Sequence, residues 1–268
     1  VRDTPGAVAA PEFQGRLCFE NVSFGYRRPA ESTLSDINFT LEPKETLAIT
    51  GPSGAGKSTL ASLILRLYDP ALGRVLIDGQ DIRQFTLKSL RGRIGLVPQE
   101  APIFRATVAE NIALGAGRDV DETEIEAAGR LANAHGFITA MPNGYATVLA
   151  ERGATLSAGQ RQRIAIARVA LRRSSILVYD EPTVGLDRAN EAAVSEALWA
   201  LASGRTTVLI THDLELGARA DRILFLDGGA IAEEGTHEEL LARSGPYAAL
   251  WHSLPAKISD RPRHAAAG

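Results

Sequence analysis

Short apolar and β-branched runs recur along the chain, and several are followed by segments with the apolar spacing of helices. The runs in the first hundred residues are LCFENVSF (17–24), TLAIT (46–50), RVLI (74–77) and RIGLV (93–97). The later runs are SILVYD (175–180), TTVLI (206–210) and RILFLD (222–227). This alternation predicts an α/β core with a mainly parallel sheet. The runs up to about residue 45 are expected to form antiparallel strands beside that sheet.

Strand patterns disappear between about residues 104 and 170. DETEIEAAGRLANAHGFITA (121–140) and SAGQRQRIAIARVALRR (157–173) carry helical spacing instead. The pattern predicts a helical subdomain, at approximately 104–170, inserted into the α/β core. The Pro-, Gly- and Ala-rich start predicts a linker at 1–15, and the Pro-, Arg- and Ala-rich end predicts a flexible tail at 255–268. A single domain is expected at 16–254.

Composition limits the classes of partner. The 268 residues are 45% hydrophobic with a net charge of −3, and the sequence pI is near 6.0. This balance gives no electrostatic basis for nucleic acid or an anionic membrane surface as the main partner. A single cysteine, Cys18, excludes an intrachain disulfide and a multi-cysteine metal site. The start at Val1, with its linker-like composition, favours a piece of a longer polypeptide.

A glycine-rich segment follows the TLAIT run and opens the helical segment KSTLASLILRLY. It has the spacing and the setting of a P-loop, which turns backbone N–H groups and a helix N-terminus toward phosphate. Lys57 is expected to pair with the β- and γ-phosphates, Ser58 to bind Mg²⁺, and Thr59 to donate to the α-phosphate. The nucleotide-binding loop comprises Gly51, Pro52, Ser53, Gly54, Ala55, Gly56, Lys57, Ser58 and Thr59.

Polar residues also follow three core runs. SILVYD is followed by Glu181, so two adjacent carboxylates stand where the run ends. Their side chains point to different sides if the strand continues through them. Asp180 is expected to bind Mg²⁺ and Glu181 to polarise the attacking water. Gln99 after RIGLV is a candidate to contact Mg²⁺ or the attacking water. His212 after TTVLI is a candidate to hydrogen-bond the γ-phosphate.

The ordered motifs Tyr26, GPSGAGKST, VPQ, LSAGQ, LVYDEPT, GLD and THD resemble the ATP-binding cassette ATPases, the nucleotide-binding domains of ABC transporters. The resemblance covers about residues 16–252. It implies a P-loop NTPase with a mainly parallel core sheet, an antiparallel β subdomain and an inserted α-helical subdomain. It further implies that ATP and Mg²⁺ are bound, and that Tyr26 stacks on adenine.

The same resemblance also implies a role for the segment LSAGQ. It implies that two such domains pack head to tail, so that Ser157 and Gly159 touch the γ-phosphate held by the other domain, while Asp187 lies at the dimer seam. Ala158 departs from the glycine that is usual there, and its methyl group fits if φ is negative. Homodimer and heterodimer both remain open. The signature residues are Leu156, Ser157, Ala158, Gly159 and Gln160.

Three stretches resemble exporters, in which a transmembrane domain shares the polypeptide: PIFRATVAENI (102–112), ERGATLSAGQ (151–160) and EEGTHEELLARSGPYAALW (233–251). The resemblance implies an ATP-hydrolysing motor at the cytoplasmic face of the cell membrane, with ERG near the membrane domain. A weakly hydrolysing regulatory subunit and a stand-alone importer ATPase remain alternatives. The arginines of helix 157–173 are expected on a charged face toward phosphate, interface and solvent, without nucleic acid as a partner.

Overall fold

The computed structural model describes residues 1–26 and 33–254. The strands within these residues are β1 (Leu17–Phe24), β2 (Leu34–Leu41), β3 (Thr46–Thr50), β4 (Leu72–Ile77), β5 (Gln80–Asp81), β6 (Ile94–Val97), β7 (Ile176–Asp180), β8 (Thr206–Ile210), β9 (Arg222–Asp227) and β10 (Ala230–Gly235). The α-helices are α1 (Lys57–Ile64), α2 (Leu87–Gly92), α3 (Val108–Ala113), α4 (Glu122–Leu131), α5 (His135–Thr139), α6 (Ala158–Ala170), α7 (Arg188–Ala202), α8 (Leu214–Gly217), α9 (His237–Arg243) and α10 (Pro246–His252).

The core of the molecule is a six-stranded sheet in the order β10-β9-β3-β8-β7-β6. Its strands pair in parallel except for β10, which runs antiparallel to β9. Every residue of β3 and β8 is buried, as expected for parallel strands with helices on both faces. The predicted mainly parallel core sheet is confirmed. Its carboxyl edge is where the P-loop and the segments after β6, β7 and β8 meet.

The second sheet is antiparallel and has the order β2-β1-β4-β5. The predicted antiparallel sheet is therefore confirmed, but its expected limit near residue 45 was wrong, because β4 pairs with β1 between Leu17↔Ile77 and Ser23↔Leu72. The run RVLI has the continuous apolar pattern of a parallel core strand, and only its distant pairing with β1 distinguishes the two cases.

The chain between β6 and β7 is helical. Residues 98–175, all of which the structure describes, contain α3 to α6 and two short 3₁₀ turns but no strand. Isoleucines 112, 125, 138 and 164 pack with α7 residues in one apolar cluster, so the helices share a core. The predicted helical element is confirmed, whereas the domain boundaries at 15/16 and 254/255 stay predictions. The predicted tail at 255–268 lies outside the described residues.

Residues 1–15, for which a linker was expected from composition, lie against the domain. Val8 forms a parallel bridge with Phe85. The ring of Phe13 is buried and meets the edge of Phe85 at 5.5 Å between centroids. The backbone N–H groups of residues 14–16 all donate to the Asp78 carboxylate, at 2.7–3.0 Å. These contacts attach the segment through side-chain burial and charge-assisted hydrogen bonds.

The substitution Phe13→Ala is expected to lower the free energy of unfolding by about 3 kcal/mol, because it empties a buried aromatic site. Urea unfolding followed by circular dichroism measures the change. The matched control is Phe104→Ala, since that ring is 52% exposed. Equal small losses in both variants would contradict a fixed attachment of the N-terminal segment.

Within the two described ranges, we find no helix with both the length and the apolar character to cross a membrane.

Candidate nucleotide site

The glycine-rich loop joins β3 to α1 with backbone angles that require glycine. Gly51, Gly54 and Gly56 have φ of 138°, 81° and 100°. A Cβ added to Gly51 would lie 2.0 Å from the carbonyl oxygen of Leu226, so the loop passes directly over the end of β9. Gly56 is the N-cap of α1 and no side chain caps that helix. The loop and the helix N-terminus are therefore shaped to present N–H groups to an anion.

The Lys57 ammonium is held inside the loop. Its Nζ donates to the carbonyl oxygens of Gly51 at 2.9 Å and Pro52 at 2.8 Å. Burial lowers the pKa of Lys57, while Glu181 and Asp180 act in the opposite direction through their negative charges. The ammonium thus sits among acceptors and near two carboxylates, and its charge is directed into the loop.

The Ser58 hydroxyl and the Asp180 carboxylate meet at the end of β7. Ser58 Oγ donates to Asp180 Oδ1 at 3.0 Å. Burial raises the pKa of Asp180, and the hydrogen bond from Ser58 opposes that shift. Among the described residues no group of three or more His, Cys, Asp or Glu side chains forms a metal cage. One hydroxyl and one carboxylate fit Mg²⁺, which keeps several waters and phosphate oxygens among its ligands.

Glu181 and His212 form a pair beside the P-loop. Strand β7 ends at Asp180 and does not continue through Glu181. The two carboxylates therefore do not alternate across a strand. Glu181 instead has a left-handed φ of 49°. Its Oε2 accepts from the backbone N–H of His212 at 3.2 Å and lies 2.5 Å from His212 Nδ1. Glu181 is mostly buried, whereas His212 is exposed, so the imidazole connects the carboxylate to the pocket opening.

One pocket of about 440 Å³ brings most of these residues together. Gln99, Glu181 and His212 lie around the glycine-rich loop, although they come from three different strand ends. Thr33 and Val184 also line the pocket and were not anticipated, because neither lies within one of the motifs that signal nucleotide chemistry. The complete lining comprises Thr33, Ser53, Gly54, Gly56, Lys57, Ser58, Thr59, Gln99, Glu181, Val184 and His212.

Tyr26 stands next to the loop with half of its surface exposed. Its hydroxyl shares a hydrogen bond with Thr59 Oγ1 at 3.1 Å. Phe24 and Tyr68 support the ring edge to face, at 5.0 and 5.2 Å between centroids. The aromatic ring is thus fixed beside the P-loop, and the contact with Thr59 had no signal in the sequence.

The LSAGQ segment lies outside the P-loop pocket. Ser157 caps α6, and its hydroxyl accepts from the Gln160 N–H in a capping box. Leu156 is buried. Ala158 is the first helical residue and its φ is not positive, so the backbone accommodates its methyl group without strain. Gly159 is buried against α7. The structure therefore does not bring this segment to the P-loop pocket of the same chain.

Asp187 is the N-cap of α7, and its carboxylate accepts hydrogen bonds from the first turn of that helix. Its Oδ1 accepts from the backbone N–H groups of Ala189 at 3.1 Å and Asn190 at 3.0 Å. Hydrogen bonds from Asn190 hold the pKa of Asp187 below its ordinary value. The carboxylate is consequently ionised and stabilises the helix N-terminus.

The arginines of α6 donate hydrogen bonds to other groups of the same chain. The sequence had instead predicted a charged face toward phosphate, interface and solvent. Arg161 Nη1 donates to the carbonyl oxygen of Leu156 at 2.7 Å. Arg168 donates to the carbonyl oxygens of Asn111 at 2.9 Å and Pro102 at 3.0 Å. Their guanidinium groups stabilise turns of the helical region, a role that helical spacing alone does not reveal.

A second, larger groove of about 860 Å³ is lined by the segment after β6, by residues around the start of α6 and by the segment after β7. Gln99 and Val184 line this groove as well as the P-loop pocket. Phe104 exposes half of its surface there. The wall near the start of α6 is formed by Glu151, Arg152, Ala158, Arg161 and Gln162. The two cavities therefore share side chains.

Known proteins resemble this chain along nearly its whole length. Human ATP-binding cassette sub-family B member 6 is 47% identical over 254 residues, covering 94% of this chain and 30% of the relative. The ATP-dependent lipid A-core flippase of Chromobacterium violaceum is 47% identical over 249 residues, covering 93% of this chain and 42% of the relative. The chain therefore spans less than half the length of these relatives.

A solved structure described as a bacterial Atm1-family ABC exporter with ATP bound superposes with a TM-score of 0.89 at 43% identity. The match covers 97% of this chain and 45% of that one. The ABC transporter family model matches residues 34–184, which include the P-loop, Gln99, LSAGQ and Glu181. The chain has the P-loop NTPase fold of ABC ATPases and belongs to the ABC transporter family, with exporters among its homologues.

Proposed function

We propose that this chain binds ATP with Mg²⁺ and hydrolyses it as the motor of an ABC exporter. The observation that carries the proposal is the convergence of the Lys57 ammonium, the Glu181 carboxylate and the His212 imidazole on one pocket. Phosphoryl transfer depends mainly on positioned charge and a positioned water, since the protein does little covalent chemistry. These three groups supply both requirements, which supports hydrolysis over binding alone.

The P-loop binds the phosphates through its N–H groups and Lys57, while Tyr26 offers a ring face to the base. The residues that would hold Mg²⁺ are Ser58, Asp180 and Gln99. When bound, Mg²⁺ supplies neutralisation of the phosphate charge. The hydrogen bond between Ser58 and Asp180 supports this set, because it keeps a neutral and an anionic oxygen ligand adjacent.

Glu181 accepts the proton of the attacking water on its carboxylate. His212 orients that carboxylate through two contacts with Oε2, one from the backbone N–H and one from Nδ1. In its doubly protonated form, with Nδ1–H on Glu181, the imidazole can also donate from Nε2 on its exposed side to the γ-phosphate. Because both partners of the pair are present, a regulatory subunit with a degenerate site is the weaker alternative.

Hydrolysis takes place between two ABC ATPase domains. Ser157 and Gly159 do not line the P-loop pocket of their own chain, and the α6 N-terminus is suited to a phosphate. Their location supports contact with the γ-phosphate bound by a second domain. Asp187 then lies at the seam between the domains. Both a homodimer and a heterodimer satisfy this arrangement.

The larger groove receives the transmembrane domain at the cytoplasmic face of the membrane. The relatives include a flippase and exporters, which supports a membrane partner. Gln99 lines both the groove and the P-loop pocket. A displacement of its side chain by nucleotide therefore changes the surface of the groove. ATP closes the dimer and hydrolysis reopens it, and the membrane domain switches its access accordingly.

The test of binding is the substitution Lys57→Met, which removes the ammonium while preserving much of the side-chain length. ATP affinity is expected to fall about 10–100-fold, since a charge-assisted contact is lost. Fluorescent-nucleotide titration measures the affinity of the purified chain. The matched control is Lys88→Met, at an exposed lysine on α2. Unchanged ATP affinity in the Lys57 variant would contradict the proposed site.

A further inference from the structure

The N-terminal ends of α6 and α7 lie in direct contact at Gly159 and Asn190. A Cβ added to Gly159 would be 2.5 Å from Asn190 Cβ, Cγ and Oδ1. The bare α-carbon of this glycine therefore leaves the room that the Asn190 side chain occupies. Gly159 belongs to the signature segment itself, and Asp187 lies three residues before Asn190.

The Asn190 amide connects groups of opposite charge. Its Nδ2 donates to Asp187 Oδ2 at 2.6 Å, and its Oδ1 accepts from Arg163 Nη2 at 3.3 Å. A carboxylate only accepts and a guanidinium only donates, so the two neighbours determine the orientation of the amide. Aspartate lacks the donor for Asp187, and leucine lacks both functions. The site is therefore specific for an amide of this length.

Arg163 is itself anchored on the α6 side. Its Nη1 donates to the carbonyl oxygen of Asn133 at 2.9 Å, and its Nε to that of Gly159 at 3.3 Å. Its guanidinium lies 4.8 Å from the centroid of the Phe137 ring. The network thus runs from the helical region through Arg163 and Asn190 to Asp187.

We propose that Asn190 is a positioning residue that holds the signature segment and the Asp187 carboxylate in one fixed relative arrangement through Arg163. The inference rests on the proposed function, in which both elements face the nucleotide bound by a second domain. Neither Asn190 nor Arg163 lines the P-loop pocket of its own chain. Their effect therefore falls on assembly and turnover of the composite site and leaves the first binding of ATP unaffected.

The test is Asn190→Leu, which preserves approximate size and removes both amide hydrogen bonds. The turnover number is expected to fall about tenfold, while ATP affinity of the monomer stays within about twofold. Asn143→Leu makes the same exchange at an exposed asparagine of the helical region and is expected to change neither quantity. Asn190→Asp retains the acceptor for Arg163 but places two carboxylates together, and is expected to lower turnover at least as much.

A double variant separates positioning from general destabilisation. In the Arg163→Met background, Asn190→Leu is expected to lower turnover by less than about threefold, because one network cannot be broken twice. Normal turnover in Asn190→Leu would overturn the inference. Equal losses of turnover and monomer ATP affinity, or a full tenfold loss in the Arg163→Met background, would also overturn it. A parent chain that hydrolyses no ATP would instead contradict the proposed function, and this inference would fall with it.

Discussion

Replacing Glu181 by glutamine is expected to lower the rate of ATP hydrolysis about 10²–10⁴-fold and to leave ATP binding intact. The amide matches the carboxylate in size and can still pair with His212, but it cannot take a proton from water. The P-loop, which supplies the proposed binding contacts, is unchanged. Steady-state phosphate release gives the rate, and fluorescent-nucleotide titration gives the affinity.

Glu100→Gln is the matched control, since this carboxylate is exposed and follows Gln99 directly. Its turnover is expected to equal that of the parent chain. Parental turnover in the Glu181 variant would remove Glu181 from the role of base. Loss of ATP affinity in the same variant would show that its carboxylate acts in binding.

The substitution Ser157→Arg is expected to lower turnover about 10²–10³-fold, the scale of losing a donor at a reacting phosphate. It replaces a short hydroxyl with a long cation at the start of α6, so a second domain cannot approach as closely. ATP affinity of the monomer stays unchanged because Ser157 lies outside the P-loop pocket. Phosphate release and nucleotide titration measure the two quantities.

The control for lost helix capping is Thr236→Arg, which removes the equivalent capping box at the start of α9. Loss of an N-cap costs about 1 kcal/mol, which affects stability far more than turnover.

A mixing experiment then tests whether the site is shared. Lys57→Met chains keep an intact signature and Ser157→Arg chains keep an intact P-loop. A mixed dimer therefore has one intact site, and mixing the two weakly active variants is expected to restore hydrolysis. No recovery on mixing would contradict a site built from two chains.

Features encoded in one contiguous segment were predictable from the sequence. The P-loop needs a strand, a glycine-rich turn and a helix in succession, and TLAIT, GPSGAGKST and the following helical segment supply them in order. Gln99, Glu181 and His212 follow separate strands, yet parallel pairing places these strand ends at one edge. Their convergence on one pocket was therefore implied once the parallel sheet was assumed.

Features that depend on distant pairing were not predictable from local pattern. The apolar run of β4 fits either sheet, and only its partner β1 decides. The composition of residues 1–15 suggests a linker, whereas Phe13 finds a partner in Phe85 far along the chain. Asn190 shows the same limit, because an asparagine one turn after Asp187 reads as an ordinary helix start until Arg163 and Gly159 are seen beside it.

In the proposed function, ATP joins two of these domains through the LSAGQ segment. The deciding experiment is sedimentation velocity of Glu181→Gln with and without Mg-ATP, with the Glu181→Gln, Ser157→Arg double variant run in parallel. We expect a monomer without nucleotide, a dimer with Mg-ATP, and a monomer with bound ATP in the double variant. A dimer that forms equally well in the double variant, or a monomer with bound ATP in both, would contradict the proposed function.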